Sequence, residues 1–158
     1  MKIIFLDIDG VLNSVKYDNE RSDGDGNIDI SRLSLLKQLA DKTDALIVLT
    51  SSWRKHWDPS GILTDEVGKE LERTFCDSGV FLFDKTPVLG GHRSFEISAW
   101  LEAHPEIESF VILDDIKFGW GELDRYVVKT DQRIGRGLEI RHVDKAREIL
   151  AHKGYLGN

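Results

Sequence analysis

Apolar residues in this chain fall into short continuous runs, and the stretches between the runs carry helical periodicity. Ile3-Ile-Phe-Leu6, Ala45-Leu-Ile-Val-Leu-Thr50, Val80-Phe-Leu-Phe83, Ser109-Phe-Val-Ile-Leu113 and Arg125-Tyr-Val-Val-Lys129 each read as a strand. Apart from their ends they are apolar throughout and rich in β-branched and aromatic residues, which suits strands buried on both faces of a parallel sheet. Four helices are expected between and after them. Asp29 or Ser31 can cap the first, which runs to about Lys42 with Ile30, Leu33, Leu36, Leu39 and Ala40 inward. Thr64 can cap the second, with Asp65 and Glu66 in its first turn and Val67, Leu71 and Phe75 on one face. Residues 94–103 form the third, with Ile97, Trp100 and Leu101 inward and Pro105 as its stop. The last lies near residues 143–152, buries Val143, Ala146, Ile149 and Leu150, and ends at Gly154. Such alternation predicts an α/β fold, a Rossmann-like three-layer sandwich around a mostly parallel five-stranded sheet.

The connections are polar. Residues 13–30 read as a flap or loop close to the end of the first strand. Within it, Asp23-Gly-Asp-Gly-Asn-Ile-Asp29 fails the calcium-loop template, because the sixth position is Ile28 and the twelfth is Ser34. Residues 53–61 are irregular, residues 86–92 contain a Gly90-Gly91 break, and residues 131–138 form a glycine-containing loop. The segment 53–92 holds one helix and one core strand, a small insertion with no room for a separate cap, so residues 1–158 are expected to form a single domain.

Composition narrows the classes. The 158 residues, 41% apolar and 31% charged, are those of one globular domain. A net charge of −7 argues against broad electrostatic binding to nucleic acid or anionic membrane, though not against a local basic site. No stretch approaches transmembrane length, and Asp7 and Asp9 break the first apolar run too early for a signal peptide. The one cysteine, Cys76, fits a reducing, cytoplasmic setting and reads as a half-buried helix residue. The five histidines show no metal-ligand spacing.

Chemistry gathers at the strand ends. The first strand ends in Asp7-Ile-Asp9-Gly10, the second in Thr50-Ser51 and the fourth in Asp114-Asp115. In a parallel sheet these ends share one edge, where ligands of open α/β sheets bind. Carboxylates converging there repel one another unless a cation relieves them, and hard oxygen donors suit Mg²⁺. Arg93, at the start of a helix, can hold a phosphoryl group; Thr50 and Ser51 can hydrogen-bond phosphate oxygens or cap the following turn. Trp53 and Arg54 follow directly and are candidates for contact with substrate, since an aromatic beside an arginine suits a nucleotide base. Trp53 in the core and Trp57 packing at the surface is an equal alternative.

These residues together resemble the haloacid dehalogenase-like (HAD) hydrolase superfamily, most of whose members are Mg²⁺-dependent phosphatases. Phe5-Leu-Asp-Ile-Asp-Gly-Val11 matches its first motif, Ile47-Val-Leu-Thr-Ser51 the second and Val111-Ile-Leu-Asp-Asp115 the fourth. The third is a lone cation: Arg93 fits by its place before a helix, with Lys85 as its rival. Thr50 and Ser51 both qualify for the second, and Ser51 is favoured as the residue just past the strand. Thr50-Ser-Ser-Trp-Arg54 and Arg93-x-x-Glu96-Ile97-x-x-Trp100-Leu101 are further similar to a capless branch, some of whose domains are attached to RNA-repair proteins.

The resemblance implies a phosphomonoester hydrolase in which Asp7 is the nucleophile, forming an aspartyl-phosphate, and Asp9 is the general acid and base. It implies Mg²⁺ held by Asp7, the Asp9 carbonyl, Asp114 and Asp115, with Thr50, Ser51 and Arg93 on the phosphate. An acid at Asp9 favours phosphate over carbon–halogen substrates. A site without a cap suits a large or extended substrate, such as a nucleic-acid end or a phosphoprotein, or requires a partner to close it; the similarity to the capless branch favours a phosphorylated nucleotide or nucleic-acid end. The alternatives are a catalytically idle phosphate-binding module and a small-metabolite phosphatase or phosphotransferase.

Overall fold

The computed structural model describes residues 1–13, 28–131 and 136–152. Most of the flap expected over 13–30, part of the loop at 131–138 and the Gly154 stop lie outside the described residues. Five strands, β1 (Lys2–Leu6), β2 (Ala45–Leu49), β3 (Leu82–Lys85), β4 (Ser109–Asp114) and β5 (Val127–Lys129), form one sheet in the order β3-β2-β1-β4-β5. Every pairing is parallel. The chain moves outward from β1 through β2 to β3, then returns to the other side of β1 for β4 and β5. The order therefore reverses between β1 and β4, and a crevice opens at such a switch point at the carboxyl ends of the strands.

Helices α1 (Ile30–Thr43), α2 (Glu66–Asp77), α3 (Arg93–Ala103) and α4 (Ile140–Ala151) complete three layers. On one face Ile4, Leu6, Leu49, Val111 and Leu113 meet Leu33, Leu36 and Leu39 of α1, Leu71 and Phe75 of α2, and Val143, Ala146 and Leu150 of α4. On the other face Phe5, Val48 and Ile112 meet Ile97, Trp100 and Leu101 of α3. Both faces of the central strands are therefore dry, which is why the strand runs are continuously apolar and not alternating. No described helix is long and apolar enough to cross a membrane.

Several expected boundaries shift, each for a local reason. The third strand begins at Leu82 because the exit from α2 uses the preceding residues. The Ser78 and Val80 N–H groups both donate to the Phe75 carbonyl at 3.0 Å, and Gly79 takes φ +71°. Phe81 is thus left 70% exposed, and the sheet edge accepts the polar Asp84 and Lys85. Asp65, not Thr64, caps α2 through the Gly68 N–H at 3.0 Å. Gly68 lies on the buried face, where a Cβ would come within 1.9 Å of the His56 carbonyl, and Val67 points outward. Ile30 is likewise exposed, in the first turn of α1, and Cys76 is exposed on α2. The fifth strand is shorter than expected because residues 121–126 form a 3-10 turn. Helix α4 starts earlier, at Ile140, where the Glu139 N–H donates to His142 Nδ1 at 3.0 Å.

The register of α2 against β3 predicts a contrast between two phenylalanines six residues apart. Phe75→Ala should cost about 3–5 kcal/mol in urea unfolding, as for a buried aromatic. Phe81→Ala should stay within about 0.5 kcal/mol, as for a surface change. Equal costs would mean that the strand begins at Val80 after all.

Candidate active site

The ladder continues one residue beyond β1 and β2. The Asp7 N–H donates to the Leu113 carbonyl at 3.0 Å and the Thr50 N–H to the Leu6 carbonyl at 2.8 Å. Leu6 pairs with Leu49 on one side and Leu113 on the other, so the next row across the sheet is Thr50, Asp7 and Asp114. Side chains two apart along a strand share a face, which puts this row on the side of Phe5 and Val48, the side covered by α3. The sheet's own register thus brings residues 43 and 107 positions from Asp7 beside it.

Asp7, Asp114 and Asp115 each place a carboxylate oxygen within 4.8 Å of the others, and Asp7 and Asp114 are buried. Arg93 enters from the first turn of α3, its Nη1 lying 3.0 Å from Asp7 Oδ2 and 2.6 Å from Asp114 Oδ2. Burial opposes the Arg93 charge, but Asp7 and Asp114 outweigh it and hold the guanidinium firmly protonated. The Asp7 carboxyl is pushed up to about 7, chiefly by burial and then by Asp114, with Arg93 pulling the other way. Burial and Asp114 also raise Asp115. One arginine therefore does not offset the cluster, and an all-oxygen donor set of this kind fits a hard divalent cation.

Asp9 stands apart from that cluster. It is exposed, and its two oxygens accept from Asn13 Nδ2 at 2.9 Å and Trp53 Nε1 at 3.3 Å. Asn13 also accepts the Gly10 N–H at 2.9 Å, so one buried amide shapes the turn and orients Asp9. Gly10 has φ +81°, and a Cβ there would meet the Asp115 carboxylate at 2.6 Å. Only glycine lets the first and fourth strand ends approach this closely. Thr130 Oγ1 donates to the Gly10 carbonyl at 2.8 Å and ties the turn to the end of β5.

The hydroxyl pair divides. Thr50 Oγ1 is fully buried in the row beside Asp7 and has no hydrogen-bond partner among the described residues. Ser51 Oγ accepts the Trp53 N–H at 3.3 Å and caps the short turn Ser52–Lys55. The two cations divide as well. Arg93 is in the site, whereas Lys85 Nζ is bound to the carbonyls of Arg54 at 3.1 Å and Trp57 at 2.5 Å. Of the residues offered as substrate contacts, Trp53 flanks the site at Asp9. Arg54 is 4% exposed and is bonded to the Glu96 carboxylate at 2.6 Å and to the Thr50 and Ser51 carbonyls. Trp57 is in the core, not at the surface.

Glu96 stands in one of the two stretches similar to the capless branch but had no role assigned from the sequence, because a glutamate in an exposed-looking helix carries no signal of burial. It is 1% exposed, and its other oxygen accepts the Leu89 N–H at 2.8 Å. Glu96 lies one turn after Arg93, so the Arg54–Glu96 pair bolts the loop after β2 to the helix that delivers Arg93. Asn13 and Thr130 were missed because side-chain bonds to a turn leave no pattern in sequence.

Comparison with known proteins returns one family. The family model described as the HAD domain in Swiss Army Knife RNA repair proteins matches residues 3–143. No curated protein and no solved structure matches.

The site generates two predictions. Between pH 3.8 and about 7 the folded protein keeps a proton on Asp7 that the unfolded chain releases. Stability of the metal-free protein therefore falls across this window on account of Asp7. Stabilisation by added Mg²⁺ should grow over the same window and level off above it, as the cation displaces the proton. Thermal unfolding at fixed Mg²⁺ reads this, and a shift as large at pH 5 as at pH 8 would remove Asp7 from the ligands. Separately, Glu96→Gln leaves the buried Arg54 charge unpaired and should cost about 3–5 kcal/mol in urea unfolding. A cost below about 1 kcal/mol would show that the pair is hydrated.

Proposed function

The chain belongs to the family of HAD domains in Swiss Army Knife RNA repair proteins, and from that premise we propose that it is a Mg²⁺-dependent phosphomonoester hydrolase acting through an aspartyl-phosphate. The observation that carries this reading is the single Arg93 Nη1 set 3.0 Å from the Asp7 carboxylate, beside a second carboxylate, Asp9, held apart from the acidic cluster.

In this reading an Asp7 oxygen attacks phosphorus, the bond to the leaving oxygen breaks, and the phosphoryl group passes to Asp7. Asp9 protonates the leaving oxygen and then takes a proton from the water that hydrolyses the aspartyl-phosphate. Asn13 and Trp53 orient Asp9 for both steps. Arg93 and Thr50 bind the phosphoryl oxygens. Thr50 is chosen over Ser51 because its buried hydroxyl is unpartnered while that of Ser51 serves as a cap. Asp7, the main-chain carbonyl of Asp9, Asp114 and Asp115 would hold Mg²⁺, which offsets the charge that an anionic phosphate brings to an acidic site.

The substrate is proposed to be a nucleotide or the phosphorylated end of a nucleic acid. Two points support this: the family's occurrence in RNA repair proteins, and the absence of any cap domain among the described residues between 53 and 92. A cytoplasmic setting is part of the same proposal and rests on the free thiol of Cys76.

Phosphate release from an alkyl phosphate and from 3′- and 5′-phosphorylated oligonucleotides, with and without Mg²⁺, tests the reading. Activity should require Mg²⁺, fall at least about 10³-fold in Asp7→Asn, as for loss of a nucleophile, and favour the oligonucleotides. Absence of turnover on every substrate, with phosphate still bound, would make the domain a phosphate-binding module. Equal activity in Asp7→Asn would exclude the covalent route.

A further inference from the structure

A cavity of about 180 Å³ lies beside the acidic row, between the loop entering α3 and the loop leaving β4. Arg93 lines it and also reaches Asp7 and Asp114, so the cavity and the row share a wall. Its other walls mix apolar and polar surface, with Ser94 next to Arg93. Phe118 and Ile116 come from the loop after β4, His92 from the loop before α3, and Trp120 is buried beneath. No carboxylate lines it. Phe118 is 84% exposed, a large aromatic held out of the core next to a charged site.

The loop that carries Phe118 is tied down at both ends. The Ile116 N–H donates to Asp114 Oδ1 at 2.9 Å, and Trp120 Nε1 donates to the Ile116 carbonyl at 2.9 Å. Phe118 thus projects from a braced loop that hangs from one of the clustered carboxylates. Gly91 and Gly119 also line the cavity, and a Cβ on either would meet nothing within 4 Å, so the entrance is open.

We propose that this cavity is a nucleobase subsite, which takes the base of the nucleotide bearing the terminal phosphate and stacks it on Phe118 while Arg93 holds the phosphate. The inference rests on the proposed hydrolase reading and goes beyond it by naming the part of the substrate that is recognised. A base is flat, uncharged, edged with hydrogen-bonding groups and joined to its phosphate through one sugar, which matches a cavity of mixed aromatic and polar walls that shares Arg93 with the acidic row. A net charge of −7 leaves little affinity for a long phosphate backbone, so a stacked end is the more economical contact. A phosphoserine or phosphothreonine peptide brings no flat ring beside its phosphate.

Anisotropy of labelled, phosphorylated single-stranded oligonucleotides on the full chain carrying Asp7→Asn tests the subsite without needing turnover. Phe118→Ala should weaken binding about fivefold or more, and Phe118→Trp should retain it. Replacing the terminal base by an abasic sugar should weaken binding by a similar factor, and Phe118→Ala should then add little. Loss of hydrolysis in the parent protein with this pattern intact would sink the hydrolase reading and keep the subsite. Equal affinity for base-bearing and abasic ends, or an equal Phe118→Ala loss on both, would overturn the subsite. Tighter, Phe118-dependent binding of a phosphotyrosine peptide would also overturn it and assign the cavity to a protein.

Discussion

The structure depends on one electrostatic constraint: like charges are buried together at the point where the sheet reverses its strand order. Asp7 and Asp114 are neighbours because β1 and β4 pair in register, and Asp115 follows at once. Nothing in the packing requires these carboxylates; apolar side chains in the same row would be better solvated by the α3 layer. Their presence is tolerated through Arg93, which touches two of them, and through a raised Asp7 carboxyl that can hold its proton up to about pH 7. Such a cluster strains the fold unless a cation relieves it. The instability is local, and the dry faces on both sides of β1 carry it.

A site held this way needs a rigid frame, and the frame is built from side chains outside the reaction. Arg54 and Glu96 join the loop after β2 to α3, so the helix that delivers Arg93 cannot move independently of Thr50. Asn13, Gly10 and Thr130 do the same for the turn after β1. The buried Arg54–Glu96 pair adds little net stability by itself. Its effect is geometric: it fixes the loop after β2 against the helix that delivers Arg93.

Much of the fold and the chemistry was legible in the chain. Strands buried on both faces write continuous apolar runs, and Asp7, Asp114 and Thr50 sit at strand ends that a parallel sheet aligns. What failed did so at edges, where burial is partial. Val80 and Phe81 extended an apolar run that the exit of α2 had already claimed, and Val67 mimicked an inward position that belongs to Gly68. The site's supports were invisible for a different reason. Asn13 and Thr130 act through hydrogen bonds to a turn, and Glu96 through Arg54, 42 positions away, and the Leu89 N–H; no periodicity records such contacts. Trp53 and Trp57 could not be sorted because both stand in an irregular stretch, where sequence offers no period from which to read a face.

The same logic locates specificity. With the helix and strand of segment 53–92 part of the core layers, no separate domain among the described residues shields the row, and the described strand-end loops form its rim. On one side Trp53 is bound to Asp9, the proposed acid and base. On the other, the loop of Phe118 hangs from Asp114 through the Ile116 N–H and is tied to the acidic cluster. Trp53 is one hydrogen bond from Asp9, and the loop of Phe118 is one hydrogen bond from Asp114 of the row. A substrate that presses on either ring therefore acts on the geometry of the reacting groups as well as on its own affinity. Under the proposed reading that coupling joins recognition to chemistry, because the surface that would select the substrate is fastened to the residues that would transform it.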